Sequence, residues 1–537
     1  MTSWKEKLGS QIQDDWGEEI DVFAQQMVLR RQGKLAEKIF AETRLRRGVY
    51  GQRYDNGKRN DGLQDRALAF PCGDATKGPG TVWDAPGMLR IKIPYGALTI
   101  EQVEVLADLS EEYSDNISHI TTRQDIQYHY IHIEDSPDLM RRLAATGITT
   151  REACGNVVRN VTACPFAGVC GGEAFDVSTY ADALTFFILG HPDCQDFGRK
   201  IKIAFSGCET SPCGLTMFHD IGLIAKRRIV DGIPKNGYAF YVGGGLGSVP
   251  SQAKLLNEFV PEEEIFPVTL AVCRVFGRLG EKDNRTRARL KFLIKSLGMD
   301  EFTRLVEQER KILPHDERWA GYLKGPQQGL SKPTKEPSTL AEGPYPDGFK
   351  EWVAVNVKAQ RQVGYATVTA VCPLGDLSAN QMRSVADIAR VYVGDNIRLT
   401  VEQNLVFRWV TEQDLPALFV ALQEAIGHLD SKEEIIDLMK RVKERNLLEV
   451  KKIKIDPDLS LKIFFYLAGI AVIDGSLKKS EAELLKKCGN CLSLDVDFIR
   501  AVISWSVKQM EINRKLTQDL KTSSSHRNSI IESIIMS

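Results

Sequence analysis

Four cysteines in the first half of the chain are the side chains best suited to chemistry. They form two pairs, Cys164-x5-Cys170 in TACPFAGVCGG and Cys208-x4-Cys213 in FSGCETSPCG. Glycine and proline flank both pairs, and four thiolates on flexible backbone can hold an iron–sulfur cluster. The spacing leaves an alternative open, because free cysteines are among the most buried residue types and pack as small hydrophobic side chains.

A set of basic and polar residues lies near these cysteines, mostly at alternating positions of predicted strands. Alternate residues of a strand share one face, so these side chains would converge on one region. Several converging cations suit a polyanionic ligand and a small oxyanion substrate. The alternative is that alternating charges mark the solvated face of half-buried strands. The set comprises Arg90 and Lys92, then Arg123, Gln127 and His129, then Arg159, and finally Lys200 and Lys202.

Composition restricts the class of protein. The 537 residues predict roughly three or four domains, and 43% hydrophobic with 26% charged residues is typical of a soluble globular protein. The formal net charge of −1 does not favour nucleic-acid binding. Long apolar runs and a secretory signal are missing, so we expect a cytoplasmic protein without a membrane partner. Structural disulfides are uncommon there, so the 11 cysteines favour metal ligation or buried thiols.

The order strand, helix, strand, helix occurs twice along the chain. The first copy runs from MLRIKIPYG to SPDLMRRLAATG, with Thr99 as the predicted N-cap of its first helix. The second copy occupies 350–430, where WVAVNVKAQRQVGYATVTAVCP is predicted to be strand-like and LSANQMRSVADIARVYV helical. The segment HITTRQDIQYHYIHI can be laid over IRLTVEQNLVFRWV, which indicates an internal duplication.

Seven segments, in the same order, resemble the sirohaem-dependent sulfite and nitrite reductases. They are MLRIKIPYG, ITTRQDIQYHY, CGNVVRNVTACPFAGVC, GRKIKIAFSGC, YAFYVGGGLG, DNRTRARLKFLI and IRLTVEQNLVFRW, within roughly residues 40–430. The resemblance implies a sirohaem- and 4Fe–4S-dependent enzyme that reduces sulfite or nitrite by six electrons. It also implies an external electron donor, either a ferredoxin or a reductase subunit.

The repeat predicts an α+β fold with two duplicated half-domains, which the resemblance identifies as ferredoxin-like, around a mixed α/β domain, and the lysine-rich pattern after residue 430 predicts an all-helical C-terminal domain. The helical tail weakly resembles tellurite-resistance TerB-like domains, and we expect it to contact a protein partner. The expected divisions are a helical N-terminal extension (1–75), ferredoxin-like half-domain 1 (76–150), a sirohaem/iron–sulfur domain (151–325), a linker (326–348), ferredoxin-like half-domain 2 (349–430) and the helical tail (431–537).

Carried over to this sequence, the resemblance assigns roles to most of the candidate residues, whereas Lys92, His129 and the four cysteines are candidates because of their spacing. Sirohaem is a polycarboxylate and the substrates are small anions, so cations suit both, and cationic acids can also supply protons. The predicted catalytic residues are Arg90, Arg159, Lys200 and Lys202; the predicted cofactor-binding residues are Lys92, Arg123, Gln127, His129, Arg398, Gln403 and Asn404; and the predicted cluster ligands are Cys164, Cys170, Cys208 and Cys213, with Cys213 bridging cluster and haem iron.

The chain departs from the family's cysteine pattern. The family motif, Cys-x5-Cys followed by Cys-x3-Cys, normally lies after the second half-domain, and no such motif follows Leu429. The four cysteines instead lie in the first half, with one extra residue in the second pair. An alternative prediction is therefore a catalytically incomplete family member or subunit. It would keep the fold and bind a partner, with the cluster-bearing quarter lost or supplied in trans.

Overall fold

The structure, a computed structural model, describes residues 14–51, 87–324, 331–426 and part of 461–508. The chain forms two units, 1–428 and 429–537. Within the second unit, Phe464, Leu485 and Ile499 belong to a small core of their own, and most of its described residues are helical. No helix in the described ranges is long and apolar enough to cross a membrane.

Two helices precede the first sheet. Helix α1 spans Asp14–Arg31 and α2 spans Glu37–Arg46. Their aromatic side chains Phe23 and Phe40 are fully buried and stack with ring centroids 6.1 Å apart. Both rings belong to the same core as the two half-domains, so these helices are an integral layer of the first unit.

The first half-domain begins at a short strand, and Thr99 caps its first helix as predicted. Thr99 accepts a hydrogen bond from the Gln102 backbone N–H at 3.1 Å, and the Gln102 side chain accepts one from the Thr99 N–H at 3.0 Å. This capping box satisfies two N–H groups that a helix start leaves unpaired. The elements are β1 (Val49–Gly51), β2 (Gly87–Ile91), β3 (Ala97–Leu98), α3 (Ile100–Tyr113), β4 (Ile117–Ile120), β5 (Ile126–Ile131) and α4 (Ser136–Ala144).

The mixed α/β domain is built on a second five-stranded sheet with its own core. Strands β6, β7 and β8 are parallel, and β8, β9 and β10 are antiparallel, in the order β10-β9-β8-β7-β6. The elements are β6 (Val158–Ala163), α5 (Ser178–Ile188), β7 (Ile201–Ser206), β8 (Ile221–Val230), β9 (Ile233–Val242), β10 (Lys254–Pro261), α6 (Ile265–Leu279), α7 (Leu290–Leu297), α8 (Met299–Ile312) and α9 (Arg318–Lys324).

The second half-domain repeats the first, which confirms the duplication. One part of the prediction is wrong, because the start of the segment predicted as a strand is helix α10. Phe349 and Trp352 lie one helical turn apart, are both buried, and pack on Phe419. The elements are α10 (Phe349–Asn356), β11 (Val357–Ala359), β12 (Tyr365–Ala370), β13 (Asp376–Ser378), α11 (Ala379–Tyr392), β14 (Ile397–Leu399), β15 (Leu405–Thr411) and α12 (Leu415–Ile426).

The half-domains exchange one short strand each. Strand β13 of the second half pairs with β4, and β3 of the first half pairs with β14. The resulting sheets are β1-β2-β5-β4-β13 and β11-β12-β15-β14-β3. Before each exchanged strand is a glycine at positive φ, Gly96 at 73° and Gly375 at 77°. A Cβ would lie 2.5 Å from the Leu399 carbonyl oxygen at Gly96, and 2.8 Å from that of Ile120 at Gly375. Only glycine allows the two backbone segments to approach each other this closely.

Candidate functional site

Basic side chains from several elements gather at the amino-terminal ends of β6 and β7. Lys200 interacts electrostatically with Arg159, Arg123, Lys202 and Arg289, and each of these cations disfavours its charge. Arg123 in turn is opposed by Arg159 and Arg90. We refer to the group as the cation set; its members are Arg90, Lys92, Arg123, Arg159, Lys200, Lys202 and Arg289.

The cation set carries more positive charge than its surroundings neutralise. Burial, followed by repulsion from Arg159, lowers the pKa of Lys200 to about 6. Burial and then Arg123 lower the pKa of Lys202 to about 8. Burial likewise lowers the pKa of Lys92 to about 8, although Glu152 opposes the shift. The three amines in the set therefore have pKa values within about one or two units of neutral pH, where lysine is ordinarily fully charged.

Two buried carboxylates partner the cation set. Asp125 accepts from Arg123 Nη2 at 3.0 Å, and Asp220 accepts from Arg289 Nη2 at 2.8 Å. Among the described residues, Lys92 Nζ and Arg123 Nη1 are buried and have no hydrogen-bond partner. An unpaired buried cation is costly, so these two atoms fit a site built around an anionic group such as a polycarboxylate cofactor.

Arg90 and Arg159 are held in place by uncharged groups. Arg90 Nε donates to Gln127 Oε1 at 3.0 Å, its partner across strands β2 and β5. Arg159 donates to the carbonyl oxygens of Ala153 at 2.7 Å and Gly155 at 2.9 Å. The Tyr50 hydroxyl accepts from Arg159 at 3.2 Å, and the Tyr50 ring lies 5.6 Å from the Arg90 guanidinium. Both charges are therefore oriented without being neutralised.

The evenly spaced residues Arg123, Gln127 and His129 make three separate contacts. Gln127 pairs with Arg90. Arg123 precedes strand β5, in the turn that follows β4, and pairs with Asp125. The His129 ring lies 6.2 Å from the ring of His119. The prediction that they share one face of a single strand is wrong for Arg123, because the strand begins only at Ile126.

The predicted residues of the second half-domain are engaged in local structure. Arg398 Nη1 donates to the Ile397 carbonyl at 3.0 Å, and its guanidinium lies 5.1 Å from the Tyr95 ring centroid. Gln403 Nε2 donates to the Ile120 carbonyl at 2.8 Å. Asn404 Oδ1 accepts from the Cys372 N–H at 3.0 Å. The two amide side chains thus help to hold turns, and their predicted role in cofactor binding stays a prediction.

The four cysteines lie on two adjacent loops at the carboxyl ends of parallel strands. Cys164 follows β6 and donates its N–H to the Phe205 carbonyl of β7, while Cys208 follows β7. Cys164 and Cys213 form a disulfide with Cα atoms 5.5 Å apart, and the thiols of Cys170 and Cys208 are 3.5 Å apart. Both sulfur pairs therefore bridge the same two loops, and we call the four residues the tetrad.

The disulfide differs from the expectation that ligation or buried thiols would account for the cysteines. It forms because parallel strand ends bring the two loops together. With Cys164 and Cys213 joined in a disulfide, the described residues contain no group of three or more side chains able to hold a metal ion. The donor set nevertheless fits a 4Fe–4S cluster in number and chemistry, since four cysteines meet on glycine-flanked loops. Ligation requires all four as thiolates, and therefore reduction of the disulfide.

The cation set and the tetrad lie at opposite ends of the same strands. Five residues of extended chain separate Arg159 from Cys164, which is about 16 Å at 3.3 Å per residue. The Arg159 side chain also points away from the cysteines, because its guanidinium bonds to residues 153 and 155. The predicted role of Cys213 as the bridge between cluster and haem iron stays a prediction.

Several residues of the site were not predicted individually. Arg289 lies within the segment DNRTRARLKFLI, directly before α7, and Asp220 lies directly before β8. A charged residue next to a predicted element was the available signal for both. Tyr50 and His119 carried no comparable signal, because one aromatic residue in a loop or strand is most often part of the packing.

Two family models match the chain. The model described as Nitrite and sulphite reductase 4Fe-4S domain matches residues 154–312, which include the whole tetrad. The model described as Nitrite/Sulfite reductase ferredoxin-like half domain matches residues 85–146 and 358–425. Together they cover more than half of the chain, and the chain belongs to the nitrite and sulphite reductase family.

Individual relatives agree with this assignment. A protein named sulfite reductase (ferredoxin) from Mycobacterium tuberculosis is 31% identical over 341 residues, 63% of this chain and 56% of that protein. The assimilatory ferredoxin-dependent nitrite reductase of Haloferax mediterranei is 29% identical over 343 residues, 62% of this chain and 55% of that protein. The structure of the Mycobacterium tuberculosis NirA protein matches with a TM-score of 0.58 and 26% identity, covering 76% of this chain and 67% of that one. The chain thus spans little more than half the length of the first two relatives.

Proposed function

We propose that this protein is part of a reductase that acts on a small oxyanion, sulfite or nitrite, with a sirohaem, a 4Fe–4S cluster and electrons from an external donor such as a ferredoxin. The observation that carries the proposal is the cation set, whose Lys92 and Arg123 keep unpartnered buried nitrogen atoms among the described residues. An anionic cofactor and an anionic substrate would neutralise this excess of charge. Relatives named as ferredoxin-dependent sulfite and nitrite reductases support the same reaction class.

The side chains of the cation set have distinct roles in this proposal. Bound sirohaem would supply the iron at which the oxyanion accepts six electrons. Arg90 and Arg159, which uncharged groups hold in place, would orient the oxyanion. Lys200 and Lys202 would bind it and hold the protons that its reduction consumes, because a pKa near the working pH is best for a general acid. The other three cations, Lys92, Arg123 and Arg289, would pair with cofactor carboxylates or help to position the four residues that contact the substrate.

The tetrad would hold the cluster through Cys164, Cys170, Cys208 and Cys213, and the match of the 4Fe–4S domain over all four supports this. The same match counts against a family member that has lost its cluster. The separation of about 16 Å between tetrad and cation set bears on assembly. We propose that the second face of the haem is completed by another polypeptide, so that activity belongs to the assembly.

Anaerobic reconstitution of the full chain with iron, sulfide and sirohaem tests the proposal. We expect sirohaem absorption bands and about four irons for the cluster. Cys208→Ser and Cys213→Ser should each lose the cluster iron. The matched control is Cys372→Ser, because Cys372 is buried in the second half-domain and lies outside the tetrad. A colourless, iron-free wild-type protein after reconstitution would overturn the proposal.

A further inference from the structure

The loop between Cys164 and Cys170 is held by the second half-domain rather than by its own domain alone. Three successive backbone carbonyls of the loop accept hydrogen bonds from that half-domain, so the shape of the loop depends on residues up to 241 positions away along the chain. The donors are the Arg361 N–H to Val169 at 2.9 Å, Gln362 Nε2 to Gly168 at 3.1 Å and Arg408 Nη2 to Ala167 at 2.7 Å.

Side-chain packing reinforces these bonds. Val169 forms a small buried cluster with Tyr365 and Trp409, whose rings meet edge to face at 5.3 Å. Lys358 Nζ lies 4.8 Å from the centroid of the Phe166 ring. The loop that presents two of the four thiols is therefore fixed on the surface of the second half-domain.

Of the three residues that donate to the loop, Arg408 is the fully buried one, with 1% of its surface exposed. Its Nη2 bonds to Ala167, but Nε and Nη1 have no hydrogen-bond partner among the described residues. Asp176 and Glu173 attract its charge, yet neither forms an ion pair with it in the described part of the chain. A buried guanidinium without a direct ion-pair partner is costly, and a further anion close to it would offset that cost.

The loop leaves room for this charge through a glycine. Gly168 has φ of 88°, and a Cβ on it would lie 3.1 Å from Arg408 Nη2 and 2.5 Å from Asp176 Oδ2. A Cβ at this position would therefore force the Asp176 carboxylate to move and would crowd the guanidinium. Burial, followed by repulsion from Arg398, lowers the pKa of Arg408 to about 9, so it remains a cation at neutral pH.

We propose that Arg408 is a positioning residue for the cluster: it fixes the Cys164–Cys170 loop through the Ala167 carbonyl and supplies a buried positive charge that raises the cluster's reduction potential. The inference rests on the proposed cluster. A cluster bound by four thiolates is anionic and becomes more negative on reduction. A fixed cation nearby therefore stabilises the reduced state more than the oxidised one.

The test is a redox titration of the reconstituted full chain, followed by the spectrum of the reduced cluster. In Arg408→Gln, the ratio of reduced to oxidised cluster at a given ambient potential should fall about tenfold, which is about 59 mV for one electron. Arg408→Lys keeps the charge and should titrate close to wild type. Arg304→Gln on helix α8 is the matched control, because this arginine belongs to neither cysteine loop, pairs with Glu301 on its own helix and has a side chain that is 52% exposed.

The outcomes separate this inference from the proposed function. If the wild type takes up no cluster, the proposed function fails. If the wild type and Arg408→Gln bind equal iron with equal potentials, the role of Arg408 is refuted. If Arg408→Gln loses the cluster, Arg408→Lys decides. If Arg408→Lys keeps the cluster and its wild-type potential, the positive charge is what matters. If both variants lose the cluster, the proposed electrostatic role of Arg408 is overturned.

Discussion

Gln124 and Gln403 occupy equivalent turns of the two half-domains, and each donates its side-chain amide to a backbone carbonyl of the other half. Gln124 Nε2 lies 2.8 Å from the Leu399 oxygen, and Gln403 Nε2 lies 2.8 Å from the Ile120 oxygen. Both residues have positive φ, 57° and 67°. Leu399 and Ile120 are themselves equivalent positions, so the two bonds form a reciprocal pair that locks the duplicated halves together.

Replacing Gln124 by alanine should lower the free energy of unfolding by about 3 kcal/mol, because several buried backbone groups would lose their partner. Gln124 is fully buried, and besides Leu399 its amide bonds to both the N–H and the carbonyl of Ala163, at 3.0 and 2.9 Å. Gln403→Ala removes fewer bonds from a less buried site and should cost about 1 kcal/mol. Denaturant unfolding of the full chain measures both.

Glu402→Ala is the control for these two variants, because Glu402 is exposed in the same turn as Gln403. Its stability should stay within about 0.5 kcal/mol of wild type. A Gln124→Ala protein as stable as the Glu402→Ala control would show that the reciprocal bonds do not hold the halves together.

The equivalent helices α3 and α11 provide a second test of the duplication. Each begins with a capping box, Thr99 with Gln102 and Ser378 with Gln381. Thr99→Ala and Ser378→Ala should each cost about 1 kcal/mol of stability. Ile100 at the start of α3 bonds to Asp395 beyond the end of α11, and Ala379 at the start of α11 bonds to Asn116 beyond the end of α3. The caps therefore lie at opposite ends of the helix pair, and their effects should add in the double variant. Strongly non-additive unfolding energies would indicate that the two helix starts are coupled.

The fold was largely predictable because its main strands and helices have clear periodicity. The duplication followed from the alternation around Gln127 and the matching segment around Val406. The strand exchange could not be predicted, because β3 and β13 are too short to show a periodic pattern. The start of the second copy was mistaken for a strand because a short apolar run fits both states, and only packing of Phe349 and Trp352 on Phe419 selects the helix.

The site was predictable in its residue types but not in its layout. Arg159 and Cys164 are neighbours in sequence, which suggested convergence, yet five residues of strand place them about 16 Å apart. Arg408 carried no signal at all, since a buried arginine in a hydrophobic strand is recognised only when the Ala167 carbonyl and the unpartnered nitrogens around it are known. Tertiary contacts between distant segments decide both features.

Asp220 should be essential for the stability of the cation set. It is fully buried, its two oxygens each lie 2.8 Å from Arg289 Nη2, and it accepts the Lys202 N–H at 2.9 Å. Asp220→Asn keeps the shape but leaves Arg289 without its counterion, which should cost about 3 kcal/mol in denaturant unfolding. The control is Asp316→Asn, which breaks an exposed pair with Arg318 and should cost less than about 1 kcal/mol. Equal losses in both variants would contradict a special role for the buried pair.

Anion binding to the cation set should weaken as the pH rises. In the free protein, burial and neighbouring cations lower the pKa of Lys200 to about 6 and of Lys202 to about 8. A bound anion favours the charged amines and raises both values, so binding must take up protons between these values and the ordinary pKa of lysine. Affinity for sulfate, which keeps a constant charge in this range, should therefore fall by up to about tenfold per pH unit for each linked proton between pH 6 and 9.

Calorimetry of sulfate binding in buffers of different ionisation enthalpy measures this proton uptake directly. Lys200→Met should reduce it, whereas Lys254→Met, at an exposed position on β10, should not; equal uptake in the wild type and Lys200→Met would exclude Lys200 as the linked group.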